Sequence, residues 1–119
     1  LLSSVRDEMK QTNLPFIYHD AGVQDVLVKM TEGRLGLALV GTKEILNGVI
    51  TDGDIRRALI DKSNFSQLKA EDLMNKNPLT ALETDNLQLA ENRMREAKVQ
   101  CLIVKNKINE VVGVIQIFE

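Results

Sequence analysis

The sequence of 119 residues has one cysteine, one histidine, no tryptophan and only 3% aromatic residues. A lone cysteine excludes an internal disulfide, and its place in the apolar run 101–104 predicts a small core residue in a reducing cytoplasm. One histidine and one distant cysteine do not supply the converging ligands of a metal site, so we predict no metal. No nucleophile, base and orienting group can be assembled either, and we predict no catalytic residue in this chain.

Strong net charge and long apolar runs are also missing. The net charge of -2 produces no broad positive field, which argues against nucleic acid or an anionic membrane as a partner. No apolar run approaches the ~18 residues of a membrane span, and charged residues between positions 6 and 10 interrupt any secretory signal. The chain opens on Leu1-Leu2 without methionine and closes inside an apolar strand pattern, which predicts a fragment of a longer protein.

What the chain does contain is one unit twice. Asp7-Glu8-Met9 matches Asp72-Leu73-Met74 at an offset of 65, and Gly48-Val49-Ile50 matches Gly113-Val114-Ile115 at the same offset. Such self-similarity indicates a repeat architecture. We predict a first repeat with its N-terminal lead-in at residues 1–62, a polar linker at 63–69, and a second repeat at 70–119 that is truncated before its last helix.

Each repeat predicts the order strand, helix, strand, strand, helix, with the last helix missing from the second. Strands are expected at 16–18, 37–40, 45–50, 79–82, 101–104 and 111–118. Apolar residues at helical spacing predict two buried stripes: Val23, Val26, Leu27 and Met30, then Leu87, Ala90, Met94 and Ala97. Asp20 and Thr84 are the expected N-caps. In the helix that closes the first repeat, we expect Ile55, Ala58 and Leu59 to face inward.

The predicted fold class is α+β. One repeat of about fifty residues has two apolar stripes and no second layer to cover them, so the repeats should pack on each other. We therefore expect two pseudo-twofold-related copies with a cleft between them.

Residues 48–59, Gly-Val-Ile-Thr-Asp-Gly-Asp-Ile-Arg-Arg-Ala-Leu, carry the chemistry, since a strand passes there directly into a helix. Free backbone N–H groups and the positive end of the helix dipole favour phosphate at such a junction. Thr51 adds a hydroxyl, and Asp54 can accept two hydrogen bonds from a vicinal diol such as ribose. Arg56 and Arg57 are candidates for holding phosphate. Thr51 and Asp54 also fit a capping box, so residue types leave ligand site and cap both open.

Residues 48–54 resemble the end of a CBS repeat, in which Gly and two apolar residues precede Thr or Ser and then Asp. Asp72-Leu73-Met74 followed by Asn77-Pro78 resembles the start of one. The resemblance implies that Asp54 binds ribose hydroxyls and that Thr51 contacts phosphate. Gln116 and Glu119 stand at those positions in the second repeat, so we do not expect its site to bind a nucleotide in the same way.

The stretches 30–36 and 51–59 are further similar to the C-terminal half of D-arabinose-5-phosphate isomerases of the KpsF/GutQ type. That resemblance implies a regulatory module without its own enzymatic activity, an N-terminal SIS isomerase domain in the same chain, a role in Kdo, lipopolysaccharide or capsule biosynthesis, and a homo-oligomer. The implied ligand is a regulatory nucleotide or CMP-sugar. Two alternatives stay open: an oligomerisation scaffold without a working ligand site, and the CBS pair of a sugar nucleotidyltransferase, to which residues 51–57 are also similar.

Overall fold

The computed structural model describes residues 3–61 and 63–117, which form two compact units. One unit comprises residues 15–61 and 63–77, and the other comprises residues 3–14 and 78–117. We call them the Thr51 unit and the Gln116 unit. Their limits differ from those of the sequence repeats, because the first residues of the chain pack with the second repeat. The predicted domain boundaries stay a prediction.

The Thr51 unit is a three-stranded sheet with helices. Its elements are β1 (Phe16–Ile17), α1 (Val23–Gly33), β2 (Leu37–Gly41), β3 (Leu46–Thr51), α2 (Asp52–Asp61) and α3 (Ala70–Leu73). The strand order is β1-β2-β3, with β1 parallel to β2 and β2 antiparallel to β3. The segment predicted as a polar linker contains a short 3-10 helix, Phe65–Gln67, and Leu68 is buried in the core.

The Gln116 unit repeats this sheet. It begins with a 3-10 turn, Val5–Asp7, and continues with β4 (Thr80–Leu82), α4 (Leu87–Ala97), β5 (Cys101–Lys105) and β6 (Val111–Gln116). The order β4-β5-β6 and the strand directions are the same, and both antiparallel pairs shift register at an equivalent place. The predicted order of elements and the α+β class are confirmed. Phe118, at the end of the last predicted strand, lies outside the described residues.

The helical stripes form the cores, with one solvent-exposed exception on α4 and one on α2. Val23, Val26 and Met30 pack with sheet residues of the Thr51 unit, and Ala90 and Met94 do so in the Gln116 unit. The expected burial of Ala97 is wrong, because this last residue of α4 is exposed. The expected burial of Leu59 is also wrong: α2 packs through Ile55 and Ala58, which leaves Leu59 57% exposed.

The predicted N-caps are wrong by two residues in both units, and the cause is the same. The caps are Gly22 and Asn86 rather than Asp20 and Thr84. In each unit a turn follows the first strand, and the cap residue then forms an isolated antiparallel bridge, Gly22 with Lys69 and Asn86 with Ser4. This pairing holds the chain extended and delays the start of the helix.

Candidate ligand site

The candidate site lies where β3 passes into α2 without an intervening loop, since β3 ends at Thr51 and α2 begins at Asp52. On one side, Thr51 pairs with Leu37 of β2. On the other side, Val49 exchanges two backbone hydrogen bonds with Asn75, at 3.0 and 2.7 Å. The end of β3 is therefore held from both sides, which fixes where the junction presents its side chains.

The motif glycine before the junction permits this pairing. A Cβ at Gly48 would lie 2.7 Å from the Asn75 carbonyl oxygen and 2.9 Å from Met74 Sδ. At the equivalent Gly113, a Cβ would lie 2.6 Å from Met9 Sδ and 2.9 Å from a backbone oxygen. All four distances are too short for a real Cβ atom. The repeated Met and Gly of the sequence therefore make one packing contact twice.

Thr51 and Asp54 form the capping box that their spacing allows. Asp54 Oδ2 accepts hydrogen bonds from the Thr51 backbone N–H at 2.9 Å and from the Thr51 hydroxyl at 3.0 Å. In return, the Asp54 backbone N–H lies 3.4 Å from Thr51 Oγ1, at the long end of a hydrogen bond. The cap stabilises the first turn of α2 and also fixes the carboxylate of Asp54 at the end of the strand.

Arg57 uses the remaining oxygen of that carboxylate. Its Nη2 donates to Asp54 Oδ1 at 2.6 Å, across three positions of the helix. The Asp54 side chain is 14% exposed and the Arg57 side chain is 66% exposed. The guanidinium also lies over Gly53, where a Cβ would be 3.3 Å from Nη1 and 3.6 Å from Nη2. Both carboxylate oxygens thus have hydrogen-bond partners from their own helix junction.

Arg56 lies elsewhere, although the sequence puts the two arginines side by side. It lines a pocket of about 490 Å³ beside the junction, together with Arg34, Gly36 and Asp52. The structure thus brings Thr51, Asp54 and Arg57 together and separates Arg56 from them. Sequence reasoning missed Arg34, which ends α1 in the left-handed conformation at φ 57°. The signal available in the sequence was a basic residue shortly after Met30, the last apolar position of the α1 stripe.

The end of β6 lies at the same register position in the Gln116 unit. Gln116 pairs with Cys101 of β5 as Thr51 pairs with Leu37 of β2. Glu119, the counterpart of Asp54, lies outside the described residues. Cys101 is half-buried at the start of β5 and is therefore not the core residue that its apolar run predicted.

The one histidine lies on the surface and is not among the residues of the junction of β3 and α2. His19 is exposed, and its Nδ1 is 2.8 Å from Glu71 Oε2. Within residues 3–61 and 63–117, no three histidine, cysteine, aspartate or glutamate side chains are arranged to hold a metal ion. Over the same ranges, no helix has both the length and the apolar character needed to cross a membrane.

Comparison with known protein families identifies the family of this chain. The model of the CBS domain matches the chain twice, at residues 5–61 and 70–117. The chain is a pair of CBS domains. The AMP complex of the CBS domain protein PAE2072 from Pyrobaculum aerophilum has the same fold, with a TM-score of 0.82 and 25% identity, covering 96% of this chain and 87% of that one.

Several curated relatives carry the name of one enzyme. The CBS pair is 44% identical to the probable arabinose 5-phosphate isomerase of Haemophilus influenzae over 98% of its length, and 36% identical to the arabinose 5-phosphate isomerase KpsF of Escherichia coli over 100%. It corresponds to 34% and 36% of those proteins, so it spans about a third of the length of the curated relatives it matches.

Proposed function

We propose that this CBS pair is a regulatory module that senses a nucleotide or nucleotide-sugar through Thr51, Asp54 and Arg57, with Arg56 as a further anion contact. The supporting observation is the junction of β3 and α2, where a half-buried carboxylate, a hydroxyl and a guanidinium meet at a helix N-terminus. A carboxylate suits the two hydroxyls of a ribose, and the helix N-terminus suits a phosphate. The AMP complex of a CBS protein with the same fold supports the ligand class.

We further propose that the parent protein is a sugar-phosphate isomerase that interconverts D-arabinose 5-phosphate and D-ribulose 5-phosphate in the cytoplasm. The names of the curated relatives support this, and their greater length leaves room for an SIS isomerase domain in the same chain. In this proposal the enzyme supplies Kdo for lipopolysaccharide or capsule, and a CMP-linked sugar is a feedback ligand. The ligand acts by binding two states of the protein with different affinities.

A scaffold without a working ligand site is the alternative, and exposed residues of α2 favour it. Leu59 is 57% exposed and the neighbouring Ile60 is 83% exposed, which is unusual for consecutive large apolar residues on one helix. Such a surface fits a second copy of the chain. In this alternative the capping box of Thr51 and Asp54 has only a structural role.

A thermal-shift panel with AMP, ATP, CMP and CMP-sugars separates these functions, because a ligand that prefers the native state raises the melting temperature. With the responding ligand, Asp54→Asn should weaken binding about ten- to hundredfold, since it loses a charge-assisted pair of hydrogen bonds. Stability without ligand should fall by about 1 kcal/mol or less, because the amide oxygen of asparagine can still cap the helix.

Asp61→Asn is the matched control for that variant. It removes the same charge from the same helix, but Asp61 is exposed at the far end of α2 and makes none of the hydrogen bonds of the capping box. Its affinity should stay within about twofold of wild type. Absence of any thermal shift, together with self-association in sedimentation, would favour the scaffold. Stability lost in Asp54→Asn without any change in affinity would reduce Asp54 to a cap.

A further inference from the structure

We propose that Arg57 makes the junction selective for phosphorylated ribosyl ligands over the corresponding nucleosides. This inference rests on the proposed function and deepens it. Its basis is the hydrogen bond between Arg57 Nη2 and Asp54 Oδ1, at 2.6 Å. Asp54 Oδ2 is already used by the backbone and hydroxyl of Thr51. A ribose diol that approaches this carboxylate therefore competes with Arg57.

Displacement of Arg57 has a different consequence for each ligand. A nucleoside replaces Arg57 as the hydrogen-bond donor to Asp54 Oδ1 but offers the guanidinium no partner other than water. The free energy of the broken ion pair therefore lowers the affinity for a nucleoside. A nucleoside monophosphate carries its own partner for the guanidinium, and arginine binds phosphate with charge-assisted, bidentate hydrogen bonds. The same residue thus opposes one ligand and stabilises the other.

The location of the guanidinium supports this exchange. It lies over Gly53 in the first turn of α2, within 3.6 Å of where a Cβ would be. Backbone N–H groups at the start of a helix favour an anion at this end. Arg57 is therefore next to both the carboxylate that fits a diol and the helix end that fits a phosphate, and a small rotation of a 66% exposed side chain changes its partner.

Calorimetric titration of the chain with two matched pairs, AMP with adenosine and CMP with cytidine, tests the proposal. For wild type we expect the monophosphate of the binding pair to be the tighter ligand. Arg57→Met should raise nucleoside affinity by up to about fivefold, the most that an exposed ion pair contributes. The same variant should lower monophosphate affinity about tenfold, so the preference for phosphate falls about fiftyfold.

Arg57→Lys and Arg93→Met complete the set. Lysine keeps the charge but lacks the planar guanidinium. The preference of Arg57→Lys for the monophosphate over the nucleoside should therefore lie between those of wild type and Arg57→Met. Arg93 is an exposed residue of α4 in the other unit, and Arg93→Met measures the effect of one lost charge alone. Affinities in this control should match wild type.

Each other result overturns a distinct claim. Equal affinities of wild type for a monophosphate and its nucleoside would overturn the role of Arg57 and leave the proposed function standing. The same holds if Arg57→Met weakens both ligands of a pair equally, because the arginine would then be a contact common to both. Failure of all four ligands to bind wild type would overturn this inference, and the absence of any response to ATP or a CMP-sugar in the thermal-shift panel would overturn the proposed nucleotide site as well.

Discussion

The sheets β1-β2-β3 and β4-β5-β6 share strand order, directions and the position of a register shift, yet they end on different residues. Thr51 ends β3 and forms a capping box with Asp54, whereas Gln116 stands at the same place on β6. Glutamine has no short hydroxyl that could make the same cap. The sheet tolerates this exchange because both residues lie at the half-buried end of a strand, outside the core.

The comparison separates the residues that stabilise the fold of a unit from the polar residues of the candidate ligand site. In both units a glycine lets the segment with the repeated methionine approach the last strand, and both units have the apolar stripe of the helix. Among the described residues, the hydroxyl of Thr51 and the carboxylate of Asp54 have no counterpart in the Gln116 unit. Duplication has therefore kept the packing contacts in both copies, while the polar residues at the strand end differ.

The largest effect is expected at the contact that both units share. Gly48→Ala and Gly113→Ala should each lower the free energy of unfolding by about 2–3 kcal/mol, because the new methyl overlaps a backbone oxygen that cannot move away. Urea denaturation followed by circular dichroism measures both variants. Similar losses would support one contact made twice.

Gly22→Ser is the control, since nothing lies within 4 Å of a Cβ at Gly22. Serine is also a good N-cap for α1, so stability should be unchanged or should rise by a few tenths of a kcal/mol. If Gly48→Ala proves as harmless as this control, the close approach of residues 74–75 to β3 is wrong.

A change at the strand end should make the Thr51 unit resemble the Gln116 unit. Thr51→Gln removes the hydroxyl that donates to Asp54 and should lower stability by about 1 kcal/mol, the usual cost of a lost N-cap. Thr51→Ser keeps the hydroxyl and should stay within about 0.5 kcal/mol of wild type. Equal losses in the two variants, measured by thermal unfolding, would mean that the hydroxyl is not what stabilises the junction.

The smallest effect concerns the ends of α1 and α4, where Arg34 and Lys98 have the left-handed conformation at φ 57° and 58°. Glycine adopts this conformation without the steric cost that other residues have. Arg34→Gly and Lys98→Gly should therefore each raise stability, by about 0.5–1 kcal/mol. Arg93→Gly, in the middle of α4, should lower it by about 1 kcal/mol. A loss of stability in Lys98→Gly would contradict the equivalence of the two helix ends.

Much of the fold could be predicted because it depends on local patterns. The order of strands and helices follows from apolar spacing in windows of a few residues, and the stripe of Val23, Val26 and Met30 is buried as expected. The caps could not be predicted, since Gly22 and Asn86 start their helices only through bridges to distant segments. Leu59 fits an apolar helix face by spacing, but nothing in the unit covers it.

The candidate site divides in the same way. Thr51 and Asp54 are three residues apart at a strand-to-helix junction, so the sequence by itself determined that they could form either a cap or a ligand site. The contact of Arg57 with Asp54 needs only the spacing of three residues on one helix, whereas only the tertiary structure decided that Arg56 lines a pocket with Arg34 of the α1 end. The physical reason is geometric: consecutive residues of a helix differ by about 100° in direction, so Arg56 and Arg57 face different neighbours, and those of Arg56 come from another part of the chain.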